Sequence, residues 1–160
     1  MATSVIDMQQ SKSENLKLEI VRVIRASRER VFNAWTRPEM IRQWFRPGSL
    51  MMAEAVMDAR VGGEYRFAMT GACGEGEKEQ SSAVTGRYTR VDPFDALAFT
   101  WTSCRNPEEQ SLVTIELRDV EGGTEMKLTH EGFFTVESRD RHFGGWSSVV
   151  PKLAEFFEKD

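Results

Sequence analysis

A chain of 160 residues with 40% hydrophobic and 29% charged residues has the composition of one ordinary soluble domain. Its formal net charge of -4, and the lack of a Lys/Arg cluster alternating with aromatics, argue against nucleic acid as a partner. The sequence has no apolar run of membrane-spanning length and no charged-then-apolar leader. We therefore expect no membrane insertion and a cytoplasmic location.

The chain begins with a polar segment, a strand and two short helices. Residues 1–14 lack hydrophobic periodicity, which predicts a disordered tail before a single domain over 15–160. Residues 16–24 alternate well enough for a first strand. Ser27 is a good N-cap for a short amphipathic helix, and Pro38 at a first-turn position starts a second one. Pro47-Gly48 then ends the second helix.

The middle of the chain alternates with a period of two and predicts antiparallel sheet. The candidate strands are residues 50–58, 64–69, 82–91, 96–103, 112–120 and 124–131. Most separators are short and carry turn residues, and Glu121-Gly122-Gly123 is the best hairpin signal. A longer polar loop is expected at 71–80. Connections this short favour antiparallel neighbours, because parallel strands need crossovers.

The end of the chain predicts a long amphipathic helix. Its apolar stripe consists of Trp146, Val149, Val150, Leu153 and Phe157. Pro151 falls within this stripe, where a proline removes one backbone hydrogen bond at a cost of about 3 kcal/mol. We therefore expect the helix to kink there or a new helix to start, with Ser147 or Ser148 helping to satisfy the freed groups.

These elements together predict an α+β fold. A curved seven-stranded antiparallel sheet would wrap around the long C-terminal helix, with two short helices after the first strand. A helix laid across a curved sheet encloses a space, and the content of that space becomes the functional question.

Several segments, in order and at fixed spacing, resemble a known family. They are 27–32 with Trp35, 38–41 with Trp44-Phe45, 60–67, 86–88 with 91–93, 97–101, 130–133, and Gly145-Trp146 with Leu153. The chain resembles the helix-grip, START-like fold of the Bet v 1-like or SRPBCC superfamily. Within that superfamily it is similar to the AHSA1-like group, which is homologous to the C-terminal domain of the activator of Hsp90 ATPase.

The resemblance implies a cavity between the sheet and the terminal helix. Members of the superfamily bind lipids, sterols or polyketides there, and a few carry out cyclisation. The Hsp90 activator needs an additional N-terminal domain to stimulate its chaperone, and 160 residues leave no room for one. An Hsp90-type chaperone is therefore not the partner we expect.

The candidate ligand-binding residues are mostly aromatic. They are Trp35, Trp44, Tyr65, Phe67, Phe99, Trp101, His130, Phe133, Trp146 and Val150. Aromatic stripes usually fill cores, which is one interpretation of this set. The other is that the aromatics outnumber the packing partners that one helix can offer and line a pocket instead. The eight methionines favour this second interpretation, because flexible thioethers adapt to ligands of varied shape.

His130 allows two interpretations of its own. It shares strand parity with Met126 and Leu128, so it points inward if they do. It is then either a partly buried histidine bonded to backbone near the sheet edge, or a polar group at the cavity mouth. In the second case it would orient a ligand, together with Tyr65, and exchange a proton near neutral pH.

The sequence favours binding of a small hydrophobic or amphipathic molecule between the sheet and the terminal helix. One alternative is an enzyme of cyclase or hydrolase type, for which His130 is the only evident acid or base. The other is a protein-interaction module, chaperone-associated or homodimeric, which an exposed apolar patch around Trp44 and Phe45 would favour.

Overall fold

The computed structural model describes residues 16–46, 51–70, 81–104 and 106–158. Three expectations fall outside the described residues: the tail at 1–14, the helix end at Pro47-Gly48 and the loop at 71–80. The side chain of Cys104 is exposed and free.

The order of elements is the one the sequence predicts. It is β1 (Lys17–Ile24), α1 (Arg28–Thr36), α2 (Pro38–Trp44), β2 (Met51–Met57), β3 (Glu64–Thr70), β4 (Ser81–Asp92), β5 (Ala96–Ser103), β6 (Asn106–Val120), β7 (Gly123–Glu131) and α3 (Val136–Glu158). The strands form one curved antiparallel sheet in the order β1-β7-β6-β5-β4-β3-β2. The prediction of an α+β helix-grip fold is therefore confirmed.

The two edge strands, β1 and β2, are consecutive in the chain, and α1 and α2 connect them. Strands β2 to β7 pair with their chain neighbours, and β1 joins the far edge by pairing with β7. Helices α1 and α2 lie on the same side of the sheet as α3, since Trp35 of α1 contacts both Trp146 of α3 and Phe99 of β5. The helices and the inner face of the sheet enclose the hydrophobic core.

The short helices begin where the sequence predicts. The hydroxyl of Ser27 accepts a hydrogen bond from the backbone N–H of Arg30 at 3.2 Å and caps α1. Pro38 occupies the first turn of α2, where its missing N–H costs no intrahelical bond. Both helices bury their apolar faces, and Trp44 at the end of α2 is fully buried.

Strand β6 is longer than predicted. The sequence suggested 112–120, but the strand starts at Asn106. Residues 106–111 carry few apolar side chains, so alternation of hydrophobicity did not mark them. Every second residue of β6 from Glu109 to Leu117 is buried. Glu109 and Ser111 therefore point to the same inner face of the sheet as the apolar residues that follow them.

Helix α3 is continuous through Pro151. Of the two expected alternatives, a new helix starting at the proline is therefore wrong, and a kink at this position stays a prediction. Ser148 donates its hydroxyl to the carbonyl of Gly145 at 2.9 Å, as serines near a helix irregularity often do. All five members of the predicted apolar stripe are buried. The helix packs against β1 and α2, and the Lys152 ammonium donates to the carbonyl of Arg46.

Candidate functional site

All ten candidate ligand-binding residues are buried in the space between the sheet and the helices. They are Trp35, Trp44, Tyr65, Phe67, Phe99, Trp101, His130, Phe133, Trp146 and Val150, and none is more than 7% exposed. The parity arguments that placed Tyr65 with Phe67 and Phe99 with Trp101 on inward faces are confirmed. Trp44 and Phe45 are both buried, so they do not form the exposed patch that would favour an interaction module.

The aromatic rings form one continuous cluster. Trp35 contacts Trp44, Phe99 and Trp146 with ring centroids 4.8, 6.4 and 6.1 Å apart. Tyr65 continues the cluster toward the middle of the sheet, 5.3 Å from Phe99. Much of the interior is thus occupied by these rings, and their role as a ligand lining stays a prediction.

Tyr65 lies against the backbone of its neighbouring strands. Its hydroxyl donates to the carbonyl of Thr100 at 2.6 Å, and burial raises its pKa well above 10.0. A Cβ placed on Gly86 would stand 2.6 Å from the Tyr65 ring and 1.9 Å from the Thr100 oxygen. The absence of a side chain at Gly86 therefore allows Tyr65 to reach its acceptor.

The four tryptophans differ in the hydrogen-bond partners of their indole N–H groups. The indole N–H groups of Trp35, Trp44 and Trp146 donate to Met126 Sδ, the Ala34 carbonyl and His130 Nδ1, respectively. Trp101 Nε1 is buried, and no acceptor for it lies among the described residues. Buried donors in proteins are nearly always paired, so this indole is the exception that needs an explanation.

His130 is fully buried at the end of β7 and bonded through both ring nitrogens. Nδ1 accepts from Trp146 Nε1 at 2.9 Å, and Nε2 lies 2.7 Å from the Ser111 hydroxyl. Since an indole nitrogen only donates, Nδ1 must be the unprotonated nitrogen of the neutral ring. Nε2–H then donates to Ser111, whose own hydroxyl donates to the carbonyl of Trp101 at 3.2 Å.

The partners and the tautomer of His130 bear on the two interpretations of this residue and on its proposed role as an acid or base. His130 was predicted to be either bonded to backbone or placed at a cavity mouth, but its partners are two side chains and it has no exposed surface. Burial, reinforced by the neighbouring His142, lowers the pKa of His130 well below 6.5, so the ring is neutral near neutral pH. Because Nε2 carries a proton, it is also unable to accept one from Ser111, as nucleophilic catalysis would require.

His142 on α3 is the second histidine of the cluster. Its ring is half-buried, with centroids 5.0 Å from Phe133, 5.1 Å from His130 and 6.2 Å from Trp101. Nδ1–H donates to the Ser138 carbonyl at 2.8 Å, so the neutral ring presents Nε2 as an acceptor. Nε2 has no partner in the described ranges. Burial lowers the pKa of His142 below 6.5, although the Ser138 carbonyl and Glu109 oppose this.

Glu109 fixes the segment that joins β7 to α3. Its buried carboxylate accepts hydrogen bonds from the backbone N–H of Phe134 at 2.6 Å and from the Ser138 hydroxyl at 2.7 Å. Thr135 completes the arrangement by accepting from the backbone N–H of Ser138 at 3.0 Å. A carboxylate at the start of α3 also interacts favourably with the helix dipole.

Sequence reasoning missed Glu109, Ser111 and Ser138, and it gave His142 no role. A signal for two of them exists. Extending the inward parity of Val113 and Ile115 back along β6 places Ser111 and Glu109 on the buried face. In the described parts of the chain, no group of three or more His, Cys, Asp or Glu side chains is placed to hold a metal ion.

Comparison with known proteins places the chain in a family. Residues 25–158 match the family model described as Activator of Hsp90 ATPase homolog 1-like protein. The chain belongs to this family. The match spans both short helices, strands β2 to β7 and the whole of α3, so it includes His130 and its partners Ser111 and Trp146. No curated protein matches the sequence. No helix of the described residues is long and apolar enough to cross a membrane.

Solved structures of bacterial proteins share the fold. A protein from Rhodobacter sphaeroides is 26% identical with a TM-score of 0.75, covering 89% of this chain and 93% of its own. A Silicibacter pomeroyi protein named AHSA1 is 25% identical with a TM-score of 0.75, covering 89% and 97%. One from Chromobacterium violaceum has a TM-score of 0.77 at 24% identity, covering 87% and 95%, and supports the fold alone.

Proposed function

We propose that this protein binds a small hydrophobic or amphipathic molecule in the interior between the sheet and α3. Membership of a family whose fold generally serves ligand binding supports this role. The interior surface contributed by β3, β5, β7 and α3 is almost entirely aromatic and aliphatic. Such a surface suits an apolar guest, with a few polar groups to orient it.

The observation that carries the proposal is the unpaired indole of Trp101. A buried donor without a partner costs about 1–3 kcal/mol. The three other buried tryptophans avoid that cost by donating within the protein. The N–H of Trp101 has no such acceptor among the described residues, so it is available to an acceptor from outside the protein. A ligand with an oxygen at this point would satisfy the donor on binding, while the free protein bears the cost.

Apolar burial would supply most of the affinity. Removing apolar surface from water contributes roughly 25 cal/mol per Å², before the cost of association is subtracted. One hydrogen bond adds only about 0.5–1.5 kcal/mol net. Trp101 would therefore determine how the ligand is oriented more than how tightly it is held.

An enzymatic role has less support. His130 was the one acid or base candidate, and its two ring nitrogens are already bonded to Trp146 and Ser111. Its lowered pKa keeps it uncharged, and neither nitrogen is free to reach a substrate without breaking one of these bonds. Retention of any measured turnover by His130→Ala would argue further against an acid or base at this position.

Native mass spectrometry of the freshly expressed full chain tests the proposal. We expect a fraction of the protein to carry a small-molecule adduct, and we expect Trp101→Phe to lower that fraction. Tyr88→Phe is the matched control, because it removes one polar atom from a buried aromatic side chain that is outside the candidate ligand-binding set. Protein that is entirely free of adducts, and whose melting temperature no apolar compound raises, would contradict the proposal.

A further inference from the structure

Two ring nitrogens, Trp101 Nε1 and His142 Nε2, indicate the chemistry of the ligand's polar group. This inference rests on the proposed function. Trp101 Nε1 is a buried donor without a partner in the described chain. His142 Nε2 is an acceptor, because Nδ1 holds the ring proton in its bond to the Ser138 carbonyl. The two rings are in contact, with centroids 6.2 Å apart and planes at 77°.

Because the two rings are neighbours, one oxygen atom of a ligand could be shared by the donor and the acceptor at their edges. A hydrogen bond spans about 2.9 Å between heavy atoms, so this sharing requires the two nitrogens to lie no more than about 5.8 Å apart. The oxygen would accept from Trp101 and donate to His142. An ether or ketone oxygen accepts only, and a carboxylate accepts only, so neither satisfies both rings.

The charges around the site favour a neutral group. Among the described residues, the buried polar side chains are Glu109, Ser111, Thr124, Thr129, His130 and Ser138, and none is a lysine or arginine. The ionisable groups that act on His142 are His130, Glu109 and the exposed Arg141. A buried anion would face the Glu109 carboxylate without a buried cation, which costs several kcal/mol.

We propose that the ligand carries a neutral hydroxyl group that accepts a hydrogen bond from Trp101 Nε1 and donates one to His142 Nε2. The remainder of the molecule is apolar and packs among the aromatic rings next to Trp101, which are those of Phe45, His130 and Trp146. The ligand class is thus a phenol or an alcohol of an otherwise hydrophobic skeleton, rather than a fatty acid or a hydrocarbon.

Four probes of nearly equal size test this assignment: 2-naphthol, 2-methoxynaphthalene, naphthalene and 2-naphthoate. Their dissociation constants for the full chain are measured by isothermal titration calorimetry at neutral pH. We expect 2-naphthol to bind about tenfold more tightly than 2-methoxynaphthalene, because the ether oxygen only accepts hydrogen bonds and so makes one fewer. One net hydrogen bond corresponds to about this factor in affinity. Naphthalene should bind more weakly still, and 2-naphthoate should bind most weakly of the four.

Two variants locate the contacts. His142→Phe keeps the ring packing on Phe133 but removes the acceptor, so it should abolish the preference for 2-naphthol over 2-methoxynaphthalene. Trp101→Phe removes the donor and should abolish the preference for 2-methoxynaphthalene over naphthalene. Circular dichroism and urea unfolding verify the fold of each variant. The order of the four probes on the wild-type chain tests the hydroxyl assignment even where a variant fails to fold.

The outcomes separate the two proposals. Equal affinity for 2-naphthol and naphthalene, or tightest binding of 2-naphthoate, would overturn the hydroxyl assignment and leave apolar binding in place. Equal affinity would mean that a water molecule, which can also accept and donate, satisfies the two nitrogens instead. Failure of all four probes to bind would overturn the proposed function itself, and the hydroxyl assignment with it.

Discussion

The indole nitrogen of Trp146 donates a hydrogen bond of 2.9 Å to Nδ1 of His130, and this bond joins α3 to β7. It fixes the tautomer of the buried histidine, which in turn makes the histidine a donor to Ser111. The chain of bonds continues to the carbonyl of Trp101, so the terminal helix is connected to three adjacent strands through one polar relay.

Replacing Trp146 should separate the packing of the indole from its hydrogen bond. Trp146→Ala removes a buried side chain, and we expect it to lose about 3–5 kcal/mol of unfolding free energy and to weaken ligand binding. Trp146→Phe keeps most of the ring but leaves Nδ1 of His130 buried without a donor, at a cost of about 1–3 kcal/mol. Urea unfolding at neutral pH measures both. A Trp146→Phe protein as stable as the wild type would show that the bond to His130 contributes nothing.

The stability of the protein should fall as the pH is lowered below 6.5. The folded-state pKa of His130 lies well below its unfolded value near 6.5, so the unfolded chain binds more protons in that interval. The contribution of His130 is complete above the unfolded pKa and is lost as the pH drops toward the folded one. Each such histidine changes the unfolding free energy by at most about 1.4 kcal/mol per pH unit.

His130→Gln isolates this effect. The groups acting on His130 include His142, which titrates in the same direction, and Glu109 and Arg141 act in turn on His142. We therefore expect the variant to be less stable at neutral pH but to show a shallower decline between pH 6.5 and the acid transition. Urea unfolding at several pH values measures the slope, and an unchanged slope would mean that His130 is not the group that titrates.

Strand parity predicted the inner face of the sheet well. Alternation along β7 put Met126, Leu128 and His130 on one side, and all three are fully buried. Local alternation is enough for such a prediction, because a strand's side chains point alternately to its two faces. The same reasoning placed the start of β6 too late, since cross-strand pairing with β5 extends the strand through polar residues.

The hydrogen bonds that join Trp146, His130 and Ser111 could not be predicted from strand parity. Trp146 and His130 come from α3 and β7, and their separation depends on the curvature of the sheet and the position of the helix across it. Sequence spacing carries no information about that distance. The burial of Ser111 follows from parity, but the tautomer of His130 follows only from knowing which group donates to Nδ1.

The carboxylate of Glu109 should hold the segment between β7 and α3 in place. Glu109→Gln replaces one acceptor oxygen with an NH₂ group, so either Phe134 N–H or the Ser138 hydroxyl loses its acceptor. We expect a loss of about 1–3 kcal/mol in unfolding free energy and faster amide exchange over 134–138. Hydrogen exchange followed by mass spectrometry measures the second effect.

Glu108→Gln is the matched control for that experiment. Glu108 is the exposed neighbour on the same strand, so removing its charge should change stability by no more than about 0.5 kcal/mol. Equal exchange rates over 134–138 in the two variants would argue that the carboxylate of Glu109 does not fix the segment.

Two glycines should respond to alanine in opposite directions. At Gly86 a Cβ would stand 1.9 Å from the Thr100 carbonyl oxygen and 2.6 Å from the Tyr65 ring, so β4 and β5 must separate or the ring must move. We expect Gly86→Ala to cost at least about 1–3 kcal/mol, the usual range for an overpacked core. At Gly144 an added Cβ meets nothing within 4 Å, and the residue lies inside α3. Gly144→Ala should therefore stabilise the protein by up to about 1 kcal/mol through helix propensity. Thermal unfolding of both variants measures the difference, and a stabilising Gly86→Ala would contradict the close packing of Tyr65 on the strand.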